Sequence, residues 1–354
     1  MKLIYLANLN SIHTTRWINY FADIKDKDVF VVSSAPSSDN QINNSINYFI
    51  IKSVFDFFKF FKAILTLRSR SNDIVHIHYL GWNSLFILFA SKYKKIILTP
   101  WGCDIYENRK NLIKRIWLKY LFRKADYVIC DSIKLLKSSC ELGAVESRSS
   151  IIAFGTDIKL YSNINKPFYV DSTNHKILVG TNRLMELIYD PFTFLKAAKE
   201  LLNKNSNYMF LLANEGSLKP SIEQYILNNN LQDSVKLIGR QLGTQNINFY
   251  NSLDIYVSTS LRDGGLSASV AEAMSCERLV IVSDNSENSN YIVHGKSGYL
   301  FSNKDFYELS RLIELSTSDI SLSRDIGKNA RSIIKKDCNF HIEMDKVNKV
   351  YDSI

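Results

Sequence analysis

The sequence predicts two tandem α/β domains, each a doubly wound parallel sheet, and three observations carry that prediction. A chain of 354 residues exceeds what one hydrophobic core usually organises. Short β-branched runs alternate with longer stretches of helical period, the pattern of parallel α/β layers and not of a sandwich or a bundle. A polar, proline-containing stretch, YSNINKPFYVDSTNH at 161–175, divides the alternation into two series and reads as a linker.

In the first series the strand runs are KLIYLAN (2–8), VFVVSS (29–34), YFIIK (48–52), IVHIHY (74–79), IILTPW (96–101), YVICDS (127–132) and IIAF (151–154). The second comprises ILVGTN (177–182), YMFLLAN (208–214), VKLIGR (235–240), DIYVSTS (254–260), LVIVSD (279–284) and GYLF (298–301). SLSRDIGKNARSIIKKD and FHIEMDKVNKVYDSI have helical, polar-faced patterns that close the second domain or cross back to brace the first. The expected domains are therefore 1–165 and 166–337, facing each other across a central cleft, with a C-terminal helix over 338–354.

Hydrophobic residues make up 46% of the chain, enough for two cores. Five cysteines form an odd set without a CxxC pair, which suits a reducing compartment. MKLIYLANLN lacks the apolar core and cleavage site of a signal peptide, and no window reaches the ~18 consecutive apolar residues of a membrane span. The expected location is the cytoplasm. No His/Asp cluster calls for a metal, and no cofactor is expected. Net charge is +9, unevenly spread: residues 1–165 hold 23 Lys and Arg against 13 Asp and Glu, whereas 166–354 hold 21 against 22. An excess confined to the first half favours an anionic partner.

Residues 262–276, RDGGLSASVAEAMSC, join a buried-strand pattern to a short helix. Ser267 is the expected N-cap. Free N–H groups and the positive end of the helix dipole make such a start an anion site, and Gly264 and Gly265 let a phosphate approach the backbone. Glu272 lies roughly 8 Å further along the axis at ~1.5 Å per residue. That separation suits a nucleotide diphosphate, with pyrophosphate on Asp263–Ser267 (through Gly264, Gly265 and Leu266) and ribose hydroxyls on Glu272.

Together with ILVGTNRL, VKLIGRQLGTQNINFYNSLDIYVSTS and LVIVSDNSENSNYIVHGKSGYLF, this signature resembles the retaining glycosyltransferases of family 4, which have the GT-B architecture of two Rossmann-like domains. The resemblance covers about residues 150–315 well and the first half more loosely, through HIHY, WGCD and FRKADYVICDS. It implies a ribose contact for Glu272 and a phosphate contact for Arg183, and Arg240, at the end of VKLIGR, joins the donor-binding set. The family's first Glu falls on Gly264, with Asp263 beside it. The Lys expected about six residues after Arg183 is Tyr189.

In the first half, His76 and His78 share one face of IVHIHY. His78 lies nearer the end that faces substrate. The resemblance implies a donor-sugar contact for His78 and a catalytic-side place for Asp104 of WGCD, where Trp101 stands at a position often occupied by His. SVFDFFKFFKAILTLRSRS (53–71) and NRKNLIKRIWLKYLFRK (108–124) mix aromatics with Lys and Arg, a composition that suits anionic lipid, or a helix pair with solvated lysines. No nucleic-acid motif accompanies the charge.

The expected function is thus transfer of a sugar, with retention, from a UDP- or GDP-sugar to a glycan or lipid-linked acceptor. The expected pathway is assembly of lipopolysaccharide or capsule, at the inner face of the cell membrane. A non-catalytic GT-B-like partner subunit and a nucleotide-sugar epimerase or phosphorylase are the alternatives.

Overall fold

The thirteen strand runs correspond to thirteen strands, all in parallel ladders, and the central strands of each sheet are apolar runs buried on both faces. In chain order they are β1 (Lys2–Ala7), β2 (Asp28–Ser33), β3 (Asn47–Ile50), β4 (Ile74–His78), β5 (Lys95–Thr99), β6 (Tyr127–Cys130), β7 (Ser149–Ile151), β8 (Ile177–Thr181), β9 (Tyr208–Leu212), β10 (Val235–Leu237), β11 (Ile255–Ser258), β12 (Leu279–Ser283) and β13 (Tyr299–Phe301). The computed structural model describes residues 1–36, 42–51, 56–68, 73–163, 176–263, 265–285 and 288–354. Gly264, Lys52, Arg70 and linker residues 164–175 lie outside the described residues. β7 begins two residues before its run and ends at Ile151.

The strands make two sheets, β3-β2-β1-β4-β5-β6-β7 and β10-β9-β8-β11-β12-β13. Both carry the doubly wound order 3-2-1-4-5-6, the first with one further strand. Chain order reverses between β1 and β4 and between β8 and β11, and ligands of such sheets bind beyond the strand ends at that point. Each sheet has its own core, built on residues such as Ile4, Val75 and Leu98 in the first and Val179, Phe210 and Ile281 in the second.

The chain divides into one compact unit of Met1–Phe154 with Ile342–Ile354, and a second of Gly155–His341. The polar composition of 161–163 had placed the boundary at 165. These residues instead pack within the second unit: Ser275 Oγ donates to the Tyr161 carbonyl at 2.6 Å and Arg278 to the Asn163 side chain at 2.9 Å. Gly155, at φ +71°, opens that unit. A Cβ there would lie 2.6 Å from Phe340 Cα, so no other residue fits without moving backbone.

The C-terminal helix Phe340–Ser353 is tied into the first unit by polar groups as well as by Met344 and Val347. The Tyr351 hydroxyl meets the Tyr5 hydroxyl at 2.9 Å and His76 Nδ1 at 2.5 Å. Tyr20 donates to Asp345 at 2.7 Å, and Glu343, 1% exposed, accepts from the Ala153 N–H at 3.0 Å. Among the described residues, no helix is long and apolar enough to cross a membrane.

Candidate functional site

β8 and β11 bring two loops together at the switch point of the second sheet. At Gly180, the fourth residue of β8, a Cβ would sit 2.6 Å from Leu253 Cδ2, so a larger residue would require the Leu253 side chain to move. Three residues on, Arg183 turns under the end of β11. Its Nε donates to Ser260 Oγ at 3.0 Å, Nη1 to Ser269 Oγ at 3.1 Å, and Nη2 to Asp263 Oδ1. The guanidinium lies 4.3 Å from the Tyr189 ring centroid, a stacking that Arg makes better than Lys. Side-chain exposures of 14% for Arg183 and 9% for Asp263 make this a shielded ion pair. Burial works against the Arg183 charge, but Asp263, Tyr256 and Tyr189 outweigh it and its pKa is raised. Arg183 stays a cation with its plane held from three sides.

The helix that follows, Ala268–Ser275, starts where the sequence places it. Ser267 is its N-cap, accepting from the Val270 N–H at 3.4 Å. Gly265 is buried and Leu266 half-buried just ahead of it. Glu272, half-buried one turn in, accepts on Oε2 from the Tyr250 hydroxyl at 2.8 Å and from Asn246 Nδ2 at 3.3 Å. Asn182 extends this network: its Nδ2 donates to Tyr250 OH at 2.7 Å and to Asn246 Oδ1 at 2.9 Å, and its Oδ1 accepts from Tyr256 OH at 2.8 Å. Burial, then the Glu272 charge, raise the Tyr250 pKa well above that of a free phenol, so it remains a donor.

Asn182, Asn246, Tyr250 and Ser269 were not singled out in the sequence. Asn246 and Tyr250 did carry a signal, being four apart and hence on one face of helix Thr244–Ser252. Asp263 faces Arg183 as its counter-ion. Tyr189, in place of the expected Lys, supplies a ring instead of a second cation. Arg240 is exposed beyond β10, at the sheet edge two strands from β8.

His78 ends β4 at the switch point of the first sheet. It is 1% exposed and its ring packs 4.8 Å from Trp17 and 5.5 Å from Tyr5, yet neither ring nitrogen has a hydrogen-bond partner. Burial pushes its pKa down to about 3, so the imidazole is neutral near pH 7 and too weak a base for proton abstraction there. His76, by contrast, is satisfied by Tyr351 and by Thr99 Oγ1 at 2.7 Å, side chains and not backbone. Asp104 is fully buried, accepting from the Leu80 N–H at 2.7 Å and the Trp101 N–H at 2.9 Å. Burial raises its pKa to about 6 against those backbone donors. Asp104 therefore holds the loops after β4 and β5 in place. No group of three or more His, Cys, Asp or Glu that could hold a metal occurs among the described residues.

Two family models match the chain: "Glycosyl transferases group 1" over residues 169–333 and "Glycosyl transferase 4-like" over residues 2–132. The chain is 23% identical over 349 residues to an uncharacterised glycosyltransferase of Methanocaldococcus jannaschii, covering 95% of this chain and 93% of that one. It is 22% identical over 375 residues to the capsular polysaccharide biosynthesis glycosyltransferase CapM of Staphylococcus aureus, covering 99% and 97%. Among solved structures, Anabaena HepE in complex with UDP and glucose matches with a TM-score of 0.82 at 15% identity, covering 100% and 99%. The fold is GT-B, two parallel-sheet α/β domains, and the matches support a glycosyltransferase.

Proposed function

We propose that this glycosyltransferase transfers a sugar, with retention, from a UDP- or GDP-sugar to a glycan or lipid-linked acceptor in surface-polysaccharide assembly, working at the inner face of the membrane. The observation that carries the donor site is the Arg183 guanidinium, held by Ser260, Ser269 and Asp263 beside the start of helix Ala268–Ser275. These partners engage three of its five N–H groups, which leaves others for an oxygen of the diphosphate. The helix start adds backbone N–H donors, and Glu272, oriented by Tyr250, offers its carboxylate to a ribose hydroxyl. CapM's capsule pathway and the UDP held by HepE favour the same substrate class.

In a retaining transfer on this scaffold the departing phosphate helps deprotonate the acceptor hydroxyl. The protein's share is then to position the donor and stabilise charge on the leaving group. Arg183 does this from a rigid mount that needs no reorganisation as charge develops. His78 is neutral and does not serve as a base.

The test is a panel of nucleotide sugars scored by thermal shift and by slow donor hydrolysis. Stabilisation and turnover with one donor support the reading. A non-catalytic subunit, favoured by Asp263 neutralising the single Arg and by Tyr189 replacing a second cation, would bind nucleotide without turning it over.

A further inference from the structure

Three neighbouring helices of the first unit combine positive charge with exposed apolar side chains. They are Phe57–Arg68, the 3₁₀ helix Trp82–Phe89, and Leu112–Lys124, which together carry eight Lys and Arg and no Asp or Glu. Phe60 packs 5.6 Å from Phe86 and 5.8 Å from Phe89, and Trp117 Nε1 donates to Ser84 Oγ at 2.8 Å, so both longer helices flank the 3₁₀ helix. With three residues per turn, Trp82, Leu85 and Leu88 fall on one face of that helix, over the buried Phe86 and Ile87. Trp82 and Leu88 are 53 and 57% exposed. In the first five residues of Leu112–Lys124, Leu112, Ile113 and Ile116 are 72, 79 and 60% exposed, beside Lys114 and Arg115. The sequence allows the isoleucines to pack inward; they point to solvent.

We infer that Trp82, Leu85 and Leu88, with Leu112, Ile113 and Ile116, are a membrane-insertion face that seats the chain on an anionic bilayer. Exposed apolar side chains enter the boundary between headgroups and acyl chains, while the surrounding Lys and Arg meet lipid phosphates. A second copy of the chain fits less well, because it would set eight positive charges against eight with no acid to pair them. The inference deepens the proposed membrane-side function by naming the surface, and it rests on that reading only for the location of the acceptor.

The test is sedimentation of the full chain with vesicles of phosphatidylcholine, with and without phosphatidylglycerol, in the absence of any sugar. The parent is expected to bind the anionic vesicles and to lose binding in raised salt, as screening over ~8–10 Å requires. Joint replacement Trp82→Ser, Leu85→Ser and Leu88→Ser should weaken partitioning on the order of tenfold or more. Ile113→Ser with Ile116→Ser should weaken it independently. Melting temperature and donor hydrolysis in solution should be unchanged, since these side chains are exposed and remote in sequence from Arg183 and Glu272. Parental partitioning by both variants, or a parent that does not sediment with anionic vesicles, overturns the inference. So does a parental dimer in light scattering that both variants dissociate. A chain that sediments but turns over no donor leaves this face standing and removes the proposed catalysis instead.

Discussion

The first and second sheets share a strand order and place opposite chemistry beside their switch points, after β8 in the second and at the end of β4, the counterpart of β11, in the first. Beyond β8 stands a cation, Arg183, held by Ser260, Ser269, the acid Asp263 and the Tyr189 ring. At the end of β4 stands His78, neutral, enclosed by Trp17, Tyr5, His76 and Trp101, with both nitrogens unpartnered. Topology thus determines where a site forms, while the charge it carries depends on which side chains the neighbouring loops deliver. In the second unit those loops supply counter-charge and hydroxyls. In the first, two strands, a helix and one loop supply rings through Tyr5, His76, Trp17 and Trp101.

The most severe way to break the comparison is Arg183→Ala. Turnover should fall on the order of 10²-fold or more while donor affinity changes less, because the charge is needed most as the diphosphate departs. Steady-state rates beside calorimetric affinities check this, and near-parental turnover would place the leaving-group cation elsewhere. Glu272→Ala should weaken nucleotide binding roughly tenfold, the scale of one hydrogen bond to a charged group. It should also lower stability by roughly 1 kcal/mol, because Tyr250 and Asn246 lose their acceptor. Unchanged affinity by calorimetry would leave Glu272 a purely structural carboxylate.

Acidification sharpens the contrast from the other side. His13, on helix Ile12–Ala22 and lowered from 6.5 to about 4 by burial and then the Arg16 charge, and His78, lowered to about 3 by burial, contribute stability that is whole above pH 6.5 and is lost as pH falls toward those values. His76, also lowered by burial, acts in the same sense. Asp104, raised from 3.8 to about 6, acts oppositely, its contribution being whole below pH 3.8 and lost as pH rises toward 6. Three imidazoles outweigh one carboxyl, so the first unit's melting temperature should drop between about pH 6.5 and pH 5. Calorimetry across that range, showing instead a rise, would contradict neutral burial of these rings. The smallest effect belongs to His78→Leu. Replacing an unpartnered buried polar group by an apolar one of similar size should leave stability within about 1 kcal/mol or raise it. A large loss in thermal denaturation would mean that the imidazole has a partner in solution.

Much of this was legible in advance where the signal is local. The central strands follow from short apolar runs, since burial on both faces leaves a continuous apolar segment, whereas β7, Ser149–Ile151, shares only one residue with its run. Ser267 and Glu272 follow from cap chemistry and helical rise. The domain boundary was misplaced because polar composition marks solvent exposure and linkers alike, and Tyr161, Ser162 and Asn163 are polar residues used for packing. The outward direction of Ile113 and Ile116 was equally hidden, because periodicity reports that a helix has an apolar face and not whether another element covers it.

The sequence by itself determined the order of elements, the start of the Ala268–Ser275 helix and the uneven charge, all of which depend on residues within a few positions of each other or on simple sums. Only the tertiary structure decided that Asp263 pairs with Arg183 from 80 positions away, and that Tyr189 fills the place of a second cation with a ring. It also decided that Asp104 holds two loops and that His78 is buried without a partner. Each of these depends on which strands lie side by side in the sheet. That adjacency is set by packing of the whole unit, and no local pattern records it.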